Sequence, residues 1–164
     1  MADKPAKARL GDVPRPALVL GFAGLLPFLA GAAGAWAVEY PDVLVIVNLQ
    51  MAYGAVILSF MGAVHWGLAL AQDDAGNWRR LGLSVLPALA GWAALMVPNG
   101  LGLLLLALGF AGVFFADLRS VAAGQAPAWY KALRRPLTAI VLLCLAASYL
   151  ALAGSLAEAM ARQG

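Results

Sequence analysis

The sequence predicts an all-α membrane protein, a bundle of five transmembrane helices joined by short loops. Hydrophobic residues occupy 63% of the 164 positions and charged residues only 12%. A soluble domain carries roughly 25% charged residues, because its surface must be solvated. Together with a mean hydropathy of +0.85, this indicates a surface that mostly faces lipid. The length fits one transmembrane domain over residues 16–157, with polar tails at residues 1–15 and 158–164.

The first predicted helix covers residues 16–38 and follows a basic, proline-containing tail. About 20 apolar residues suffice to cross a bilayer core of ~30 Å, so this stretch is long enough to span. We interpret it as an uncleaved helix and not as a secretory signal, whose apolar core is shorter. Pro27 lies in its middle and predicts a kink. Four glycines share one side and predict a face that another helix can approach closely: Gly21, Gly24, Gly31 and Gly34.

The second predicted helix, residues 46–71, combines an apolar run with unusual polar side chains. Polar groups at bilayer depth are costly and usually face other helices or a cavity. Gln50, His65 and Gln72 fall within about 80° of arc at ~100° per residue, so they form a polar stripe. The opposite side carries mostly small residues. We therefore expect an interior helix of the bundle.

Two shorter helices, residues 81–97 and 101–116, are predicted on either side of the turn Pro98-Asn99-Gly100. They form a helical hairpin, and a re-entrant hairpin that does not cross the membrane is the alternative. The fourth helix also presents a face of small residues, including Gly102, Gly109 and Gly112. The fifth helix, residues 136–157, begins at Pro136, since proline is favoured in the first helical turn.

The distribution of basic residues predicts the direction of threading. With five spans, the N-terminal tail and the loops after the second and fourth helices share one side and hold ten of the eleven Lys and Arg residues. Such loops stay in the cytoplasm, so we expect the N-terminus inside and the C-terminus outside. The net charge of +3 is thus a topology signal, and no nucleic-acid partner is predicted.

His65 and Asp117 are the first candidates for a ligand or proton site. His65 lies six residues before the end of the second helix, about 9 Å below the boundary at ~1.5 Å per residue. Asp117 follows the fourth helix at the same boundary, which allows the two side chains to meet. The pair could orient the imidazole, hold a proton or position a headgroup. The alternative is a histidine that bonds to a neighbouring helix for structure alone.

Gln50, Tyr53 and Trp66 complete the candidate ligand site. For Gln50, and for Asn48 beside it, hydrogen bonding between helices is the simpler interpretation. Tyr53 is either a ligand contact or an interfacial anchor, and Trp66 is most simply a residue of the interfacial aromatic belt.

A short amphipathic segment on the membrane surface is predicted after the fourth helix. Basic side chains beside aromatic ones can bind anionic headgroups or a partner, although a topology signal alone would look the same. The candidates are Trp129, Tyr130, Lys131, Arg134 and Arg135.

No metal site and no cofactor are predicted. The chain has one histidine, and its single cysteine, Cys144, lies within an apolar run. One histidine cannot supply two imidazole ligands to a haem, and no carboxylates stand at ligand spacing.

Two segments resemble a known family. YGAVILSFMGAVHWG (Tyr53 to Gly67) and WYKALRRPLT (Trp129 to Thr138) are similar to motifs of small, uncharacterised multi-spanning membrane proteins. That family, defined by a domain of unknown function, has bacterial members and includes the mitochondrial transmembrane protein 69. Ala63 stands where the family pattern has a second glycine. The resemblance implies a multi-pass protein of the cell inner membrane and supplies no activity.

The function that the sequence favours is that of an accessory or assembly factor. Its glycine-rich faces would pack against a larger membrane complex, a respiratory one being a candidate, or against a second copy. The alternative is a lipid-, quinone- or small-molecule-binding protein or carrier that uses the polar stripe of the second helix. An enzyme is less favoured, because one imidazole and one carboxylate do not define a substrate. Membrane lipids are the expected surroundings in each case.

Overall fold

The computed structural model describes residues 9–72 and 76–163, and of Arg79 the backbone alone. Every regular element in these ranges is a helix. A turn of 3-10 helix, Leu10–Asp12, precedes α1 (Arg15–Ala23), α2 (Leu26–Ala37), α3 (Asp42–Ala71), α4 (Trp78–Ala94), α5 (Asn99–Ala122) and α6 (Ala128–Ala161). The first eight residues of the predicted N-terminal tail, residues 73–75 of the second predicted loop and residue 164 lie outside the described residues.

Within the described residues, four helical stretches are long and apolar enough to cross a membrane. They are α1 with α2 as one stretch, α3, α5 and α6. The shorter α4 has 17 residues, which is about 25 Å at ~1.5 Å per residue. The predicted all-α membrane helix bundle is thereby confirmed, whereas the direction of threading stays a prediction.

The first predicted helix is broken into α1 and α2 at Gly24 and Leu25. Pro27 lies in the first turn of α2, where its missing N–H costs nothing, because that N–H would have no partner within α2. A proline also clashes with the carbonyl four residues earlier, so the chain bends one turn before Pro27 and not at it. The break leaves the Gly24 carbonyl open to another partner, and the Tyr53 hydroxyl donates to it at 3.0 Å.

Helix α3 lies in the interior of the bundle, as predicted, since it packs against α2, α4, α5 and α6; α6 is also an interior helix, because it packs against α1, α2, α3 and α5. Two glycines allow α4 to approach α3 closely. A Cβ on Gly62 would collide with the backbone carbonyl of Ser84, and one on Gly91 would lie 3.1 Å from the backbone of Ala55. Close packing of small residues is the usual source of stability between membrane helices.

The core beside α3 is aromatic and aliphatic. Phe28 of α2 is buried, and its ring meets Tyr53 and Phe110 edge to face, with centroids 5.3 and 5.7 Å away. Such aromatic pairs add about 0.5–1.5 kcal/mol each beyond the area they bury. They connect α2, α3 and α5.

The ends of the last two helices differ from the prediction. Helix α5 continues to Ala122 and is 24 residues long, and α6 begins at Ala128, so Pro136 lies inside α6. The prediction ended the fourth helix at residue 116, because Asp117 is charged. In the structure Asp117 is buried and paired within the bundle, so its charge does not end the helix. The predicted surface segment is therefore the first part of α6.

Candidate functional site

The buried carboxylate of Asp117 lies between a histidine and an arginine. Its Oδ2 accepts a 2.6 Å hydrogen bond from Nε of Arg134, and its Oδ1 lies 3.0 Å from Nε2 of His65. The Asp117 side chain is fully buried, and those of Arg134 and His65 are 7% and 14% exposed. Charges at this depth are costly unless they are paired. We call these three residues the acidic cluster.

The acidic cluster is held by three helices, because His65 belongs to α3, Asp117 to α5 and Arg134 to α6. The turn between α5 and α6 contains Gly124, whose φ of 72° suits glycine because it carries no Cβ. This turn sets Asp117 and Arg134 at the same height on antiparallel helices. The Gln72 side chain donates to the Gln125 carbonyl at 3.0 Å, which fastens the end of α3 to the same turn.

Two hydroxyl groups lie at the edge of the acidic cluster. The Tyr130 hydroxyl donates to Oδ1 of Asp117 at 3.4 Å, and the Ser120 hydroxyl lies 3.5 Å from Nδ1 of His65. Both distances are long for a hydrogen bond. Nε2 of His65, although close to Oδ1, makes no aligned hydrogen bond. The arginine is therefore the strongest partner of the carboxylate, and the imidazole lies against the other carboxylate oxygen without an aligned hydrogen bond.

A cavity of about 630 Å³ opens beside His65, between α4, α5 and the end of α3. Its walls are mostly apolar and come from α4 and α5: Leu83, Leu86, Pro87, Ala90, Val113 and Phe115. Polar and basic side chains line the rest of it: His65, Asn77, Arg80, Arg119, Ser120 and Gln125. An apolar pocket with a few convergent polar groups is the usual form of a small-molecule site.

The cavity exists because α5 presents small residues to α4. A Cβ on Gly112 would meet nothing within 4 Å, and both Gly112 and Ala116 line the cavity. Gly109 lines it as well, but Leu58 fills the space in front of it, 2.6 Å from where a Cβ would lie. The predicted small-residue face of this helix is thus half a packing surface and half a cavity wall.

Gln50 and Tyr53, two other predicted site residues, lie away from the acidic cluster. The Gln50 amide donates to the Phe28 carbonyl at 3.0 Å, just as the Tyr53 hydroxyl bonds to Gly24. Gly31 leaves room for Gln50, because a Cβ there would lie 2.8 Å from that side chain. Both residues connect α3 to the first span. For Gln50 this is the hydrogen bond between helices that the sequence favoured, whereas the Tyr53 bond is neither the ligand contact nor the interfacial anchor that the sequence suggested.

Trp66 lies next to His65 in the chain but is 42% exposed on the outside of the bundle. It lines neither cavity that the structure describes. This position fits an interfacial aromatic residue better than a ligand contact.

The predicted surface segment divides into an inward and an outward part. Arg134 is buried against Asp117, Trp129 packs on the core, and Tyr130 is partly buried. Arg135 is exposed, and Lys131 is partly buried. The prediction that placed Arg134 on a headgroup-binding surface is therefore corrected, because the buried carboxylate attracts it inward.

Sequence reasoning missed Ser120, which lies beside His65, and Arg80 and Arg119, which line the same cavity. One signal was available for Tyr130 and Arg134: they are four residues apart and share a helix face with Leu133 and Leu137, which are buried. That pattern indicates an inward-facing arginine. The cavity residues carried no comparable signal.

The fold and composition define the chain as a multi-pass integral membrane protein. Residues 13–150 match the family described as a protein of unknown function, DUF3429. The chain belongs to that family, which confirms the resemblance seen in its two motifs. No solved structure matches it.

Two curated relatives carry the name Transmembrane protein 69. The Xenopus tropicalis protein is 37% identical over 148 residues, which covers 85% of this chain and 55% of the relative. The Mus musculus protein is 32% identical over 127 residues, covering 75% of this chain and 51% of the relative. The chain thus spans about half the length of these relatives. Their names state a membrane location and no activity.

Proposed function

We propose that this protein binds a membrane amphiphile with an anionic headgroup in the cavity beside His65. The observation that carries the proposal is the cavity itself, whose apolar walls end at basic and polar side chains next to the acidic cluster. Its volume of about 630 Å³ lies within the range of ~300–1,000 Å³ typical of small-molecule sites.

The headgroup would lie at the polar end of the cavity. Arg119 is exposed there, and Ser120 and His65 lie beside it. The Asp117 charge is already neutralised by Arg134, so this carboxylate repels an anion only weakly. An anionic head gains about 1 kcal/mol per basic residue near it. The acyl part would lie between α4 and α5, against Leu86 and Phe115.

The cavity favours this binding function over the accessory or assembly role predicted from the glycine-rich faces. Most of those glycines face other parts of this chain: Gln50 lies against Gly31, Ile46 against Gly34, Met51 against Gly102 and Leu58 against Gly109. Packing within the bundle explains the glycines without a partner protein. The accessory role therefore stays a prediction that no particular surface now supports.

Lipid retention tests the proposal. The full chain is delipidated in mild detergent, incubated with equal amounts of phosphatidylglycerol and phosphatidylcholine, and examined by native mass spectrometry. We expect the wild type to retain phosphatidylglycerol. Gly112→Leu fills the cavity from a position with open space and should abolish retention. Gly67→Leu, from an equally open position outside the cavity, is the matched control.

A charge variant tests the headgroup assignment separately. Arg119→Gln should reduce phosphatidylglycerol retention about fivefold, which corresponds to the ~1 kcal/mol expected of one basic residue. Arg135→Gln, an exposed neighbour that does not line the cavity, should leave it unchanged. Equal retention of both lipids, or retention in Gly112→Leu, would refute the proposal.

A further inference from the structure

A second, smaller cavity lies on the other side of the acidic cluster. It has a volume of about 120 Å³ and is lined by residues of the α1–α2 break, α3, α6 and the Phe110 ring of α5. It shares no lining residue with the larger cavity. His65 faces the larger cavity and Arg134 the smaller one, with Asp117 between them.

Two buried polar groups at this cavity have no hydrogen-bond partner among the described residues. They are Nη2 of Arg134 and Oγ1 of Thr138, and these residues are only 6% and 3% exposed. They lie four positions apart on α6, so they share a face, and both line the cavity. Burying a donor without a partner is unfavourable, so such groups in a folded protein usually have one.

Water alone fits this cavity poorly. A buried water needs two to four polar partners and occupies about 30 Å³. One water could bridge Arg134 and Thr138, but the rest of the cavity is lined by side chains such as Phe28, Ile57 and Phe110. An oxygen acceptor attached to an apolar body would satisfy both donors and fill the apolar volume.

The charge balance favours a neutral acceptor. Nε of Arg134 is already bonded to the Asp117 carboxylate, so the guanidinium charge is compensated, and an anion would gain little here. A carbonyl oxygen accepts from both an N–H and a hydroxyl without adding charge. The volume is somewhat below the ~150 Å³ of a cavity that holds benzene, but the cavity has an exposed edge at Leu20, so a ring or the ester region of a chain can enter in part with the rest of the molecule outside.

The cavity is placed to take its ligand from the bilayer. Leu20 and Phe60 line it, and they are 72% and 62% exposed on the outside of the bundle. In a protein of this composition that outer surface faces lipid. We infer that the smaller cavity is a binding site for a neutral, apolar molecule whose carbonyl oxygen accepts hydrogen bonds from Arg134 and Thr138. This site is independent of the larger cavity and of its proposed ligand.

Binding of two carbonyl probes tests the inference on the full chain in detergent. One probe is a decyl-substituted benzoquinone with ¹³C-labelled ring carbonyls, and the other is phosphatidylcholine labelled at its ester carbonyls. Affinity is measured by equilibrium dialysis, and the infrared carbonyl band reports hydrogen bonding by its shift to lower wavenumber. Binding of the quinone would identify the ligand as a carbonyl-bearing ring, and binding of phosphatidylcholine would identify it as the acyl ester of a lipid.

The variants isolate the Thr138 hydroxyl. Thr138→Val keeps the shape of the side chain and removes the hydroxyl, whereas Thr138→Ser retains it. Ser148→Ala is the matched control, since it removes another buried hydroxyl on α6 without a partner among the described residues, outside the cavity. Leu20→Trp changes a residue at the exposed edge of the cavity and should block entry of the probe without altering the core. It provides an independent test if Thr138→Val does not fold.

We expect one of the two probes to bind with a downshifted carbonyl band. Its affinity should fall about tenfold in Thr138→Val, as expected for one hydrogen bond, and stay unchanged in Thr138→Ser and Ser148→Ala. Leu20→Trp should abolish binding. If neither probe binds, or if either Thr138→Val or Leu20→Trp binds a probe like the wild type, the inference is overturned.

Discussion

Asp117 and Arg134 form a buried ion pair across the α5–α6 hairpin, with Nε of the arginine 2.6 Å from the carboxylate. The pair explains how two charged residues lie inside an otherwise apolar bundle. It also fixes the relative height of two long helices, because either residue would be left unpaired if one helix slid. His65 approaches the other carboxylate oxygen and adds α3 to the arrangement.

The first prediction concerns this pair. Arg134→Met removes the closest cation from the buried Asp117 carboxylate, and breaking a buried ion pair in this way typically costs about 3–5 kcal/mol. We expect a large fall in the thermal unfolding temperature in detergent. Arg135→Met, the exposed neighbour, should change it little. The double variant Arg134→Met with Asp117→Leu should recover much of the loss, because an apolar pair is no worse than a buried ion pair. An Arg134→Met variant as stable as Arg135→Met would contradict the buried pairing.

The second prediction compares two glycines of α3. A Cβ on Gly62 would meet the Ser84 carbonyl, whereas one on Gly67 would meet nothing within 4 Å. Overpacking costs about 1–3 kcal/mol, while glycine to alanine in an open helical position gains up to about 1 kcal/mol. Gly62→Ala should therefore lower the unfolding temperature and Gly67→Ala should hold or raise it. The same sign in both variants would show that α4 does not approach α3 as closely as described.

The helical architecture could be predicted from sequence because each span is an apolar run of the right length. The interior position of the second span followed from its polar side chains, since these need partners within the bundle. The helix ends were harder to predict. A charged residue such as Asp117 indicates the end of an apolar helix unless a buried partner for it is known. That partner, Arg134, lies 17 residues further on, in a basic segment whose sequence fits a topology signal or a headgroup-binding surface.

Part of the candidate site could be predicted in the same way. Counting residues from a shared boundary allowed His65 to meet Asp117, and the two do lie in contact. The two cavities could not be predicted, because they depend on how far apart neighbouring helices sit. Gly112 borders open space, whereas the space beside Gly109 on the same helix is occupied by the Leu58 side chain. The sequence does not distinguish these two glycines.

The third prediction separates structural from ligand roles on α3. Tyr53→Phe removes the hydrogen bond to Gly24, which lies away from the larger cavity. Hydrogen bonds between membrane helices average about 0.6 kcal/mol, so we expect a small fall in the unfolding temperature. Phosphatidylglycerol retention should stay at the wild-type level. Loss of retention with unchanged stability would instead place Tyr53 in the ligand site.

The fourth prediction concerns the direction of threading. The Ala123 and Gln163 side chains are exposed at the α5–α6 turn and after α6, which are opposite ends of the same 34-residue helix. With the native thiol removed by Cys144→Ala, single cysteines at these two positions report the side on which each lies. The positive-inside rule predicts that a membrane-impermeant maleimide labels Gln163→Cys in right-side-out membrane vesicles, and Ala123→Cys only after the vesicles are lysed.

The basic residues that support this topology are fewer than the sequence suggested. Arg134 no longer counts among them, because it lies within α6 and is bonded to Asp117. The basic N-terminal tail and Arg135 still favour a cytoplasmic N-terminus and a cytoplasmic α5–α6 turn. Labelling in the reverse order would place the C-terminus inside. The proposed headgroup end of the larger cavity, which lies at the opposite end of the bundle near Ala123, would then be on the outer face of the membrane.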